Sequence, residues 1–292
     1  MRNLFLLVTC LFLYNTVVVA KVSKHDRAVL VELYNSTNGA QWKNQWDLSA
    51  SVNTWYGLTV ENNKIVGINL FRNNLVGILP ESIGKLKDLK HLNLAFNTIT
   101  GKLPFSITRL AQLQVLKLEM NRLKGTLPES IGSMTNLEEL SVFNNFLSGA
   151  IPKSIGALEN LKVLNLSSNN FSGSIPKSLG RLTQLESLGL FENALEGSIP
   201  SALGNLGKLK ELVLANNQLG GEIPVEFGQL ASLQILQIQN NKFNSFKNLQ
   251  IMDSRQFLVF DYDRENTKLE FKDGNFSKTR MADTKFEDDD NE

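Results

Sequence analysis

Cysteine is almost absent from this 292-residue sequence, in which the only one is Cys10, within the apolar N-terminal stretch. If that stretch is removed, the remaining chain has no disulfide bond and no thiol that could act as a nucleophile or a soft metal ligand. A disulfide framework is therefore excluded, and the folded region must be stabilised by burial of apolar side chains.

Histidine is scarce as well, and the two that occur, His25 and His91, have no catalytic or metal-binding partner at a motif spacing. His25 is expected just before a capping helix and His91 on a strand, and we interpret both as solvated surface residues. The sequence has no phosphate-binding loop, dinucleotide-binding fingerprint, GxSxG nucleophile elbow or HExxH pair. We therefore expect no enzymatic activity, no cofactor and no metal site.

An excess of charge of either sign is also missing, because 30 basic and 29 acidic residues leave a formal net charge of +1. Without a concentrated basic surface, nucleic acid is not an expected partner. The charge is uneven only in residues 283–292, where six acids accompany Lys285. We interpret residues 277–292 as a disordered, solvated acidic tail, in preference to a weak Ca²⁺ site.

Long apolar runs are limited to the N-terminus, where Arg2 precedes an apolar stretch from Leu4 to Leu13 and aliphatic residues continue to Ala20. This order is typical of a secretory signal peptide, predicted here as residues 1–20. An uncleaved membrane anchor is the alternative, but polar residues interrupt the run and leave it shorter than the ~20 residues that a span needs. The mature chain is expected to be secreted and to have no transmembrane segment.

Three residue types recur with a period of 24 residues. The series are Asn73, Asn97, Asn121, Asn145, Asn169, Asn193, Asn217 and Asn241; Pro80, Pro104, Pro128, Pro152, Pro176, Pro200 and Pro224; and Gly77, Gly101, Gly125, Gly149, Gly173, Gly197 and Gly221. A fixed period over this many units indicates a solenoid of eight repeats, predicted to span residues 65–244.

One unit, residues 161–182, reads LKVLNLSSNNFSGSIPKSLGRL. Leucines at alternating positions of a short strand are predicted to face the core, and the residues between them to face outward. Asn169 then turns the chain, and its amide can satisfy backbone groups that the bend would leave unpaired. Gly173 permits a tight backbone path, and Pro176 ends a second extended segment. Stacked units would form a parallel sheet over one continuous apolar column.

This pattern, LxxLxLxxNxLxGxIPxxIGxL, closely resembles the plant-type leucine-rich repeat, which is found in polygalacturonase-inhibiting proteins and in the ectodomains of plant receptor-like kinases. The resemblance covers roughly residues 65–243, about 60% of the chain. It implies an α/β solenoid, a right-handed superhelix with a parallel sheet on its concave face. The pattern specifies the fold and leaves the partner open, because one scaffold serves many functions.

A solenoid must cover its apolar ends, and residues 21–64 are predicted to form the N-terminal cap. An amphipathic helix is expected over Asp26–Tyr34, with an apolar face of Ala28, Leu30, Val31 and Tyr34. The three tryptophans Trp42, Trp46 and Trp55 are expected to cover the first repeat. This region resembles the N-terminal cap of plant leucine-rich repeat proteins but lacks its paired cysteines.

The eighth repeat departs from the pattern, since Ser245 occupies the glycine position and no proline follows. Residues 245–276 are therefore predicted to form the C-terminal cap. The segment Phe257–Tyr262, with the sequence FLVFDY, is expected to be a strand of that cap.

Two columns of outward-facing residues run along the predicted concave sheet, over about 34 Å at ~4.8 Å per strand. Exposed apolar groups in a polar field are typical of interaction surfaces. The columns are Phe71, Ala95, Glu119, Phe143, Ser167, Phe191, Ala215 and Gln239; and Arg72, Phe96, Met120, Asn144, Ser168, Glu192, Asn216 and Asn240. We predict a ligand-binding face made of Phe71, Arg72, Phe96, Lys117, Glu119, Met120, Phe143, Asn144, Phe191 and Glu192.

The aromatic residues of this face could instead pack on one another and merely shield the sheet. Their irregular distribution favours binding, since Ser, Ala, Asn or Gln stands at the same position in other repeats. Charged neighbours such as Arg72 and Lys117 would then supply orientation and specificity.

Four N-glycosylation sequons begin at Asn35, Asn165, Asn170 and Asn275. Asn35 and Asn275 are predicted to lie in loops and to carry glycans. Asn165 is predicted on a concave strand, where a glycan would block the proposed face, so we expect it to be unmodified.

Three functional hypotheses follow. The first is a secreted recognition protein whose concave face binds an extracellular protein or peptide. The second, implied by the resemblance to polygalacturonase-inhibiting proteins, is inhibition of a secreted cell-wall-degrading hydrolase. The third is a structural or adhesive role, with ice or a glycan bound to flat polar columns, which would need a regular lattice of hydroxyl groups that these columns lack. We favour the first.

Overall fold

The structure is a computed structural model that describes residues 22–253 and 257–263. The predicted signal peptide, the sequon at Asn275 and the acidic residues 277–292 lie outside the described residues. Within them the chain begins with an α-helix and two three-residue 3₁₀ helices, and then alternates pairs of short strands with five-residue 3₁₀ helices.

Helix α1 spans Lys24–Ser36. The strands are β1 Leu58–Glu61, β2 Lys64–Asn69, β3 Val76–Ile78, β4 His91–Asn93, β5 Thr98–Lys102, β6 Val115–Lys117, β7 Arg122–Gly125, β8 Glu139–Ser141, β9 Phe146–Gly149, β10 Val163–Asn165, β11 Asn170–Gly173, β12 Ser187–Gly189, β13 Ala194–Ser198, β14 Glu211–Val213, β15 Gln218–Glu222, β16 Ile235–Gln237, β17 Lys242–Ser245 and β18 Val259–Asp261. The 3₁₀ helices are Gly39–Gln41, Val52–Thr54, Glu81–Lys85, Phe105–Arg109, Glu129–Ser133, Lys153–Ala157, Lys177–Arg181, Ser201–Asn205, Val225–Gln229 and Lys247–Ile251.

Each repeat contributes one strand to each of two sheets. The first sheet, which we call the concave sheet, has the order β1-β2-β4-β6-β8-β10-β12-β14-β16-β18, and its strands are parallel apart from the antiparallel pair β1–β2. The second sheet has the order β17-β15-β13-β11-β9-β7-β5-β3. The predicted leucine-rich repeat solenoid with a parallel sheet is therefore confirmed. The pattern predicts an extended segment after each asparagine, but it does not reveal that these segments pair into a second sheet.

The core is one apolar column that runs the length of the solenoid. Leu116 of β6 is in register with Leu92 of β4 and Leu140 of β8, and all three side chains are completely buried. Behind the strands, each 3₁₀ helix of the repeats contributes an apolar side chain such as Ile155 or Leu179 to the same column. Burial of this kind contributes ~25 cal/mol per Å², which accounts for stability without disulfides.

The asparagine series forms a ladder of buried amides. Asn121 Nδ2 donates to the carbonyl oxygens of Leu94 at 3.0 Å, Leu118 at 3.1 Å and Glu119 at 3.2 Å, and its Oδ1 accepts from Ile99 N at 3.0 Å. The amides of Asn97, Asn145, Asn169, Asn193, Asn217 and Asn241 have the corresponding partners. These bonds satisfy backbone groups both within and between repeats, as the sequence predicts.

A second glycine series lets the 3₁₀ helices stack closely. A Cβ at Gly156 would lie 2.3 Å from the carbonyl oxygen of Ser178 in the next repeat, so any larger residue would require the backbone to move. Thr108 occupies this position in one repeat, where its Oγ1 lies 3.0 Å from Ser130 Oγ.

An aromatic cluster closes the N-terminal end of the column. Trp42, Trp46 and Trp55 are almost completely buried, as expected. Trp46 stacks on Trp55 with ring centroids 4.8 Å apart, and it meets Trp42 edge-on at 4.9 Å. The indole of Trp42 donates to Thr37 O at 2.9 Å, and that of Trp46 donates to Tyr56 O at 2.8 Å. Ring packing and hydrogen bonds thus hold together a cap that has no disulfide.

Helix α1 differs in two details from the prediction. Its buried face consists of Val29, Leu30 and Leu33, whereas Ala28 is exposed. The predicted face was therefore correct for Leu30, and Val31 and Tyr34 are half-buried against the core, but the prediction wrongly included Ala28 and missed Val29 and Leu33. His25 lies within the helix, not before it, and is exposed.

The C-terminal end is covered by β18, which lies within the segment predicted as a strand and pairs in parallel with β16. Asp263 follows it and accepts a hydrogen bond from Asn240 N at 2.8 Å. A carboxylate here satisfies an N–H group at the point where the asparagine ladder ends.

Candidate ligand-binding face

The residues of the predicted face occupy repeated positions on the concave sheet. Lys117 ends β6, and the others follow the ends of their strands by two or three residues. The structure therefore places all of them on one surface, along the direction in which the repeats stack. They are Phe71, Arg72, Phe96, Lys117, Glu119, Met120, Phe143, Asn144, Phe191 and Glu192.

The apolar members of this face fall into two groups. Phe71 and Phe96 are 45% and 44% exposed, and their ring centroids lie 5.1 Å apart at an interplanar angle of 59°. These two rings thus pack on each other, as the shielding interpretation expects, yet nearly half of each surface stays open. Met120, Phe143 and Phe191 are half-buried and lie further along the sheet.

The second column has a backbone conformation that the sequence does not reveal. Each residue that precedes a ladder asparagine has a left-handed φ between 49° and 57°. The chain needs this turn to direct the asparagine amide into the core after the strand ends. The residues are Arg72, Phe96, Met120, Asn144, Ser168, Glu192, Asn216 and Asn240. The asparagines at three of these positions were the available signal, because asparagine tolerates this conformation best among residues with a side chain.

Apolar side chains that we did not predict continue the face toward the start of each strand. Val115, Val163 and Ile235 are half-buried and stand one position before a core leucine. The alternation of inward and outward residues along the strands could have identified them.

Carboxylates dominate the charge of the face. Lys117 Nζ forms an ion pair with Glu139 Oε1 at 2.8 Å. Glu192 accepts a hydrogen bond from Ser168 Oγ at 2.7 Å. Glu119 differs, since its Oε2 is buried and has no hydrogen-bond partner within the described part of the chain.

The outward positions of the concave sheet carry more acids than bases. The basic residues are Arg72 and Lys117, and the acidic residues are Glu119, Glu139, Glu192, Glu211, Asp261 and Asp263. Counted over the described residues, two bases against six acids give the face a formal charge of −4, although the whole chain has +1.

A ladder of alternating charges borders the sheet, at the position one residue before β8, β10, β12 and β14. Lys162 Nζ lies 2.6 Å from Glu138 Oε2, and Lys210 Nζ lies 2.6 Å from Glu186 Oε2. The hydrogen bond to Glu138 raises the pKa of Lys162, and the hydrogen bond from Lys210 lowers the pKa of Glu186. These exposed pairs neutralise each other, so the acidic centre of the face keeps its net charge.

Residues 22–253 and 257–263 contain no group of three or more His, Cys, Asp or Glu side chains that could hold a metal ion. In the same ranges, no helix combines the length and apolar character that a membrane crossing requires.

Known sequences and structures share this architecture. Profiles described as a leucine-rich repeat region and as a leucine rich repeat match residues 69–150, 135–195 and 208–230. The ectodomain of the Arabidopsis thaliana receptor kinase GASSHO1/SCHENGEN3, solved with CASPARIAN STRIP INTEGRITY FACTOR 2, is 32% identical with a TM-score of 0.75 over 80% of this chain. The chain is a plant-type leucine-rich repeat protein. No curated protein sequence matches it.

Two further solved structures define the extent of the similarity. The Arabidopsis receptor kinase HAESA, in complex with the peptide hormone IDA and the co-receptor SERK1, is 30% identical with a TM-score of 0.73 over 82% of this chain. A plant ice-binding protein is 20% identical with a TM-score of 0.54 over 84% of this chain and 97% of its own, a likeness of fold alone. This leucine-rich repeat protein spans 29% of the GASSHO1 chain and 42% of the HAESA chain, less than half of either.

Proposed function

We propose that this leucine-rich repeat protein is a secreted recognition protein that binds an extracellular protein or peptide on its concave face. The observation that carries this proposal is the acidic surface on which Phe71, Phe96, Met120, Phe143 and Phe191 stay partly open to solvent. Support also comes from similar proteins that were solved with a peptide, among them the receptor kinase HAESA in complex with the peptide hormone IDA.

The spacing of the aromatic residues suits an extended ligand. Phe143 and Phe191 occupy the same column two repeats apart, a separation of about 10 Å at ~4.8 Å per strand. Ser167 lies between them and accepts a hydrogen bond from Phe191 N at 3.1 Å, so no large side chain fills the interval. A peptide in the polyproline II conformation advances ~3.1 Å per residue with three residues per turn, so side chains three residues apart would lie on one face and reach the two rings.

The charge of the face favours a basic ligand. Lys117 is neutralised by Glu139, which leaves Glu119 and Glu192 as the charged groups nearest the centre of the sheet. A lysine or arginine of the ligand would pair with the Glu119 carboxylate once that side chain turns outward, because its Oε2, buried in this structure, has no donor among the described residues. Charge-assisted hydrogen bonds of this type give orientation as well as affinity.

Selection from a displayed library of random peptides tests the binding site. We expect the enriched peptides to combine basic with apolar residues, to lose binding to the F143A/F191A double variant and to bind E119Q more weakly. Phe105→Ala is the matched control, because Phe105 is 57% exposed but lies on a 3₁₀ helix away from the concave sheet. Peptides that bind wild type and F143A/F191A equally would exclude the concave face as the binding site. Enrichment of acidic peptides would exclude Glu119 as the partner of a basic ligand residue.

The geometry favours this function over adhesion to a regular lattice such as ice. Phe143 and Phe191 interrupt the column that contains Ser167, so hydroxyl groups do not follow one another from repeat to repeat.

A further inference from the structure

The second sheet carries a basic patch at its N-terminal end, on the outward side. Lys102 on β5, Arg122 and Lys124 on β7 and Phe146 on β9 alternate with buried leucines or isoleucines, so their side chains share the outward face. Lys102 is in register with Lys124, and Lys124 is in register with Phe146. Two cations and an aromatic ring therefore form one row across three adjacent strands.

The cations of the basic patch have no acidic partners in the part of the chain that the structure describes. Each of six other lysines lies within 4.0 Å of a carboxylate: Lys64, Lys90, Lys117, Lys162, Lys210 and Lys247. Within residues 22–253 and 257–263, no such ion pair is formed by Lys102, Arg122 or Lys124. Three like charges on neighbouring positions repel one another until an anion is bound.

Apolar surface lies beside these cations. Phe146 and Ile78 are each 56% exposed, and the aliphatic part of Lys102 lies over Gly125. A pure polyanion would leave this apolar surface uncovered. The patch therefore fits an acidic polypeptide segment that also contains an aromatic residue.

The chain itself contains a segment with that chemistry. Residues 283–292 read DTKFEDDDNE, in which Phe286 is followed directly by four acids, and the segment has six acids against one lysine. We propose that residues 283–292 bind in cis to the basic patch, with Phe286 against Phe146 and the acids against the three cations. This inference is independent of the function proposed for the concave face.

The intervening chain is long enough for this contact. Nineteen residues, 264–282, separate the segment from Asp263. Any chain of nineteen residues reaches about 63 Å when fully extended, and a random coil of that length has an end-to-end distance of roughly 24 Å. Asp263 lies in the repeat after β17, so six strand intervals separate it from β7, which at ~4.8 Å each amount to about 29 Å. The patch is thus well within the extended length of the intervening chain.

Disulfide trapping in the full chain tests the contact. Cys10→Ser removes the only native cysteine, and Asn291→Cys places one in the acidic segment. Thr126→Cys places the second one beside the patch, one residue after β7. Ser198→Cys is the matched control, because it is also exposed and lies in the same column three repeats nearer the C-terminus.

We expect an intramolecular disulfide to form faster between positions 126 and 291 than between 198 and 291, although 198 is nearer to the segment's origin. K102E/K124E and high salt should abolish this preference, while the circular dichroism spectrum and Tm of that variant stay close to those of wild type. Equal or faster trapping at position 198, or a disulfide that forms only between two chains, would overturn the assignment.

Discussion

The side-chain amide of Asn121 and the carbonyl oxygen of Leu94 belong to successive repeats, and a hydrogen bond of 3.0 Å joins them. The same amide also donates to two carbonyls of its own repeat. One side chain thus closes the turn of its own repeat and fixes the distance to the preceding one.

Asn121→Ala should lower the free energy of unfolding by about 3 kcal/mol, because several buried backbone groups lose their partner at ~1–3 kcal/mol each. Urea unfolding followed by circular dichroism measures this change. The control is Asn160→Ala. The exposed amide of Asn160 donates to Thr135 O at 2.9 Å, and its loss should change the free energy of unfolding by less than about 0.5 kcal/mol. Equal effects of the two substitutions would contradict a structural role for the ladder.

Gly156→Ala should destabilise the protein by about 2 kcal/mol, because its Cβ would meet the Ser178 carbonyl at 2.3 Å. Gly207→Ala is the matched control, since a Cβ there has no atom within 4 Å. The Tm of each variant, measured by thermal unfolding, tests this close stacking. A similar Tm for both variants would show that the 3₁₀ helices do not stack as closely as described.

Lys210→Met should raise the pKa of Glu186, because the hydrogen bond from Lys210 is the main cause of its lowered value. A carboxyl whose pKa is lowered by folding contributes stability that is present above its ordinary pKa and is lost as the pH falls through the folded value. NMR titration of the Glu186 carboxyl carbon measures the shift. Lys208→Met is the control, because Lys208 donates to Gln184 Oε1 and affects Glu186 only at longer range, so an equal shift would contradict the pairing.

Mass spectrometry of the protein secreted from eukaryotic cells should find a glycan on Asn35 and none on Asn165. Asn35 is exposed, although it lies in the last turn of α1 and not in the loop that the sequence suggested. The Asn165 side chain lies against Gly189, and its Oδ1 accepts from Ser167 N at 3.1 Å. As a control, Asn35→Gln should remove the mass of that glycan. A glycan on Asn165 would contradict the prediction, because it would leave little room for a ligand on the concave sheet.

The sequence predicts the repeat well, because the physical reason for each repeated residue acts locally. The asparagine ladder follows from the need to pair the backbone at a turn, and the leucine positions follow from strand alternation. The face of α1 could not be predicted equally well. Its apolar residues lie almost all around the helix, and only the position of the first repeat selects Val29 and Leu33 over Ala28.

The candidate face was predictable in its residues but not in its electrostatics. Columns of outward positions follow from the 24-residue period alone. Which charges cancel depends on rotamers: Lys117 turns toward Glu139, and Glu119 is left with a buried, unpaired oxygen. The basic patch was missed because it combines residues from three repeats that belong to a sheet the pattern did not reveal.

The residues with a left-handed backbone before the ladder asparagines affect both ligand recognition and stability, so a change that alters one also alters the other. A residue other than glycine or asparagine in this conformation costs on the order of 1 kcal/mol, so Phe96, Met120 and Glu192 each lower the margin of the native state. Replacing them with asparagine would produce a more stable protein whose concave face lacks the side chains that distinguish one ligand from another. The number of these positions that can carry residues other than asparagine is therefore limited by the backbone strain that the rest of the solenoid can tolerate. A solenoid with more repeats could vary more of them.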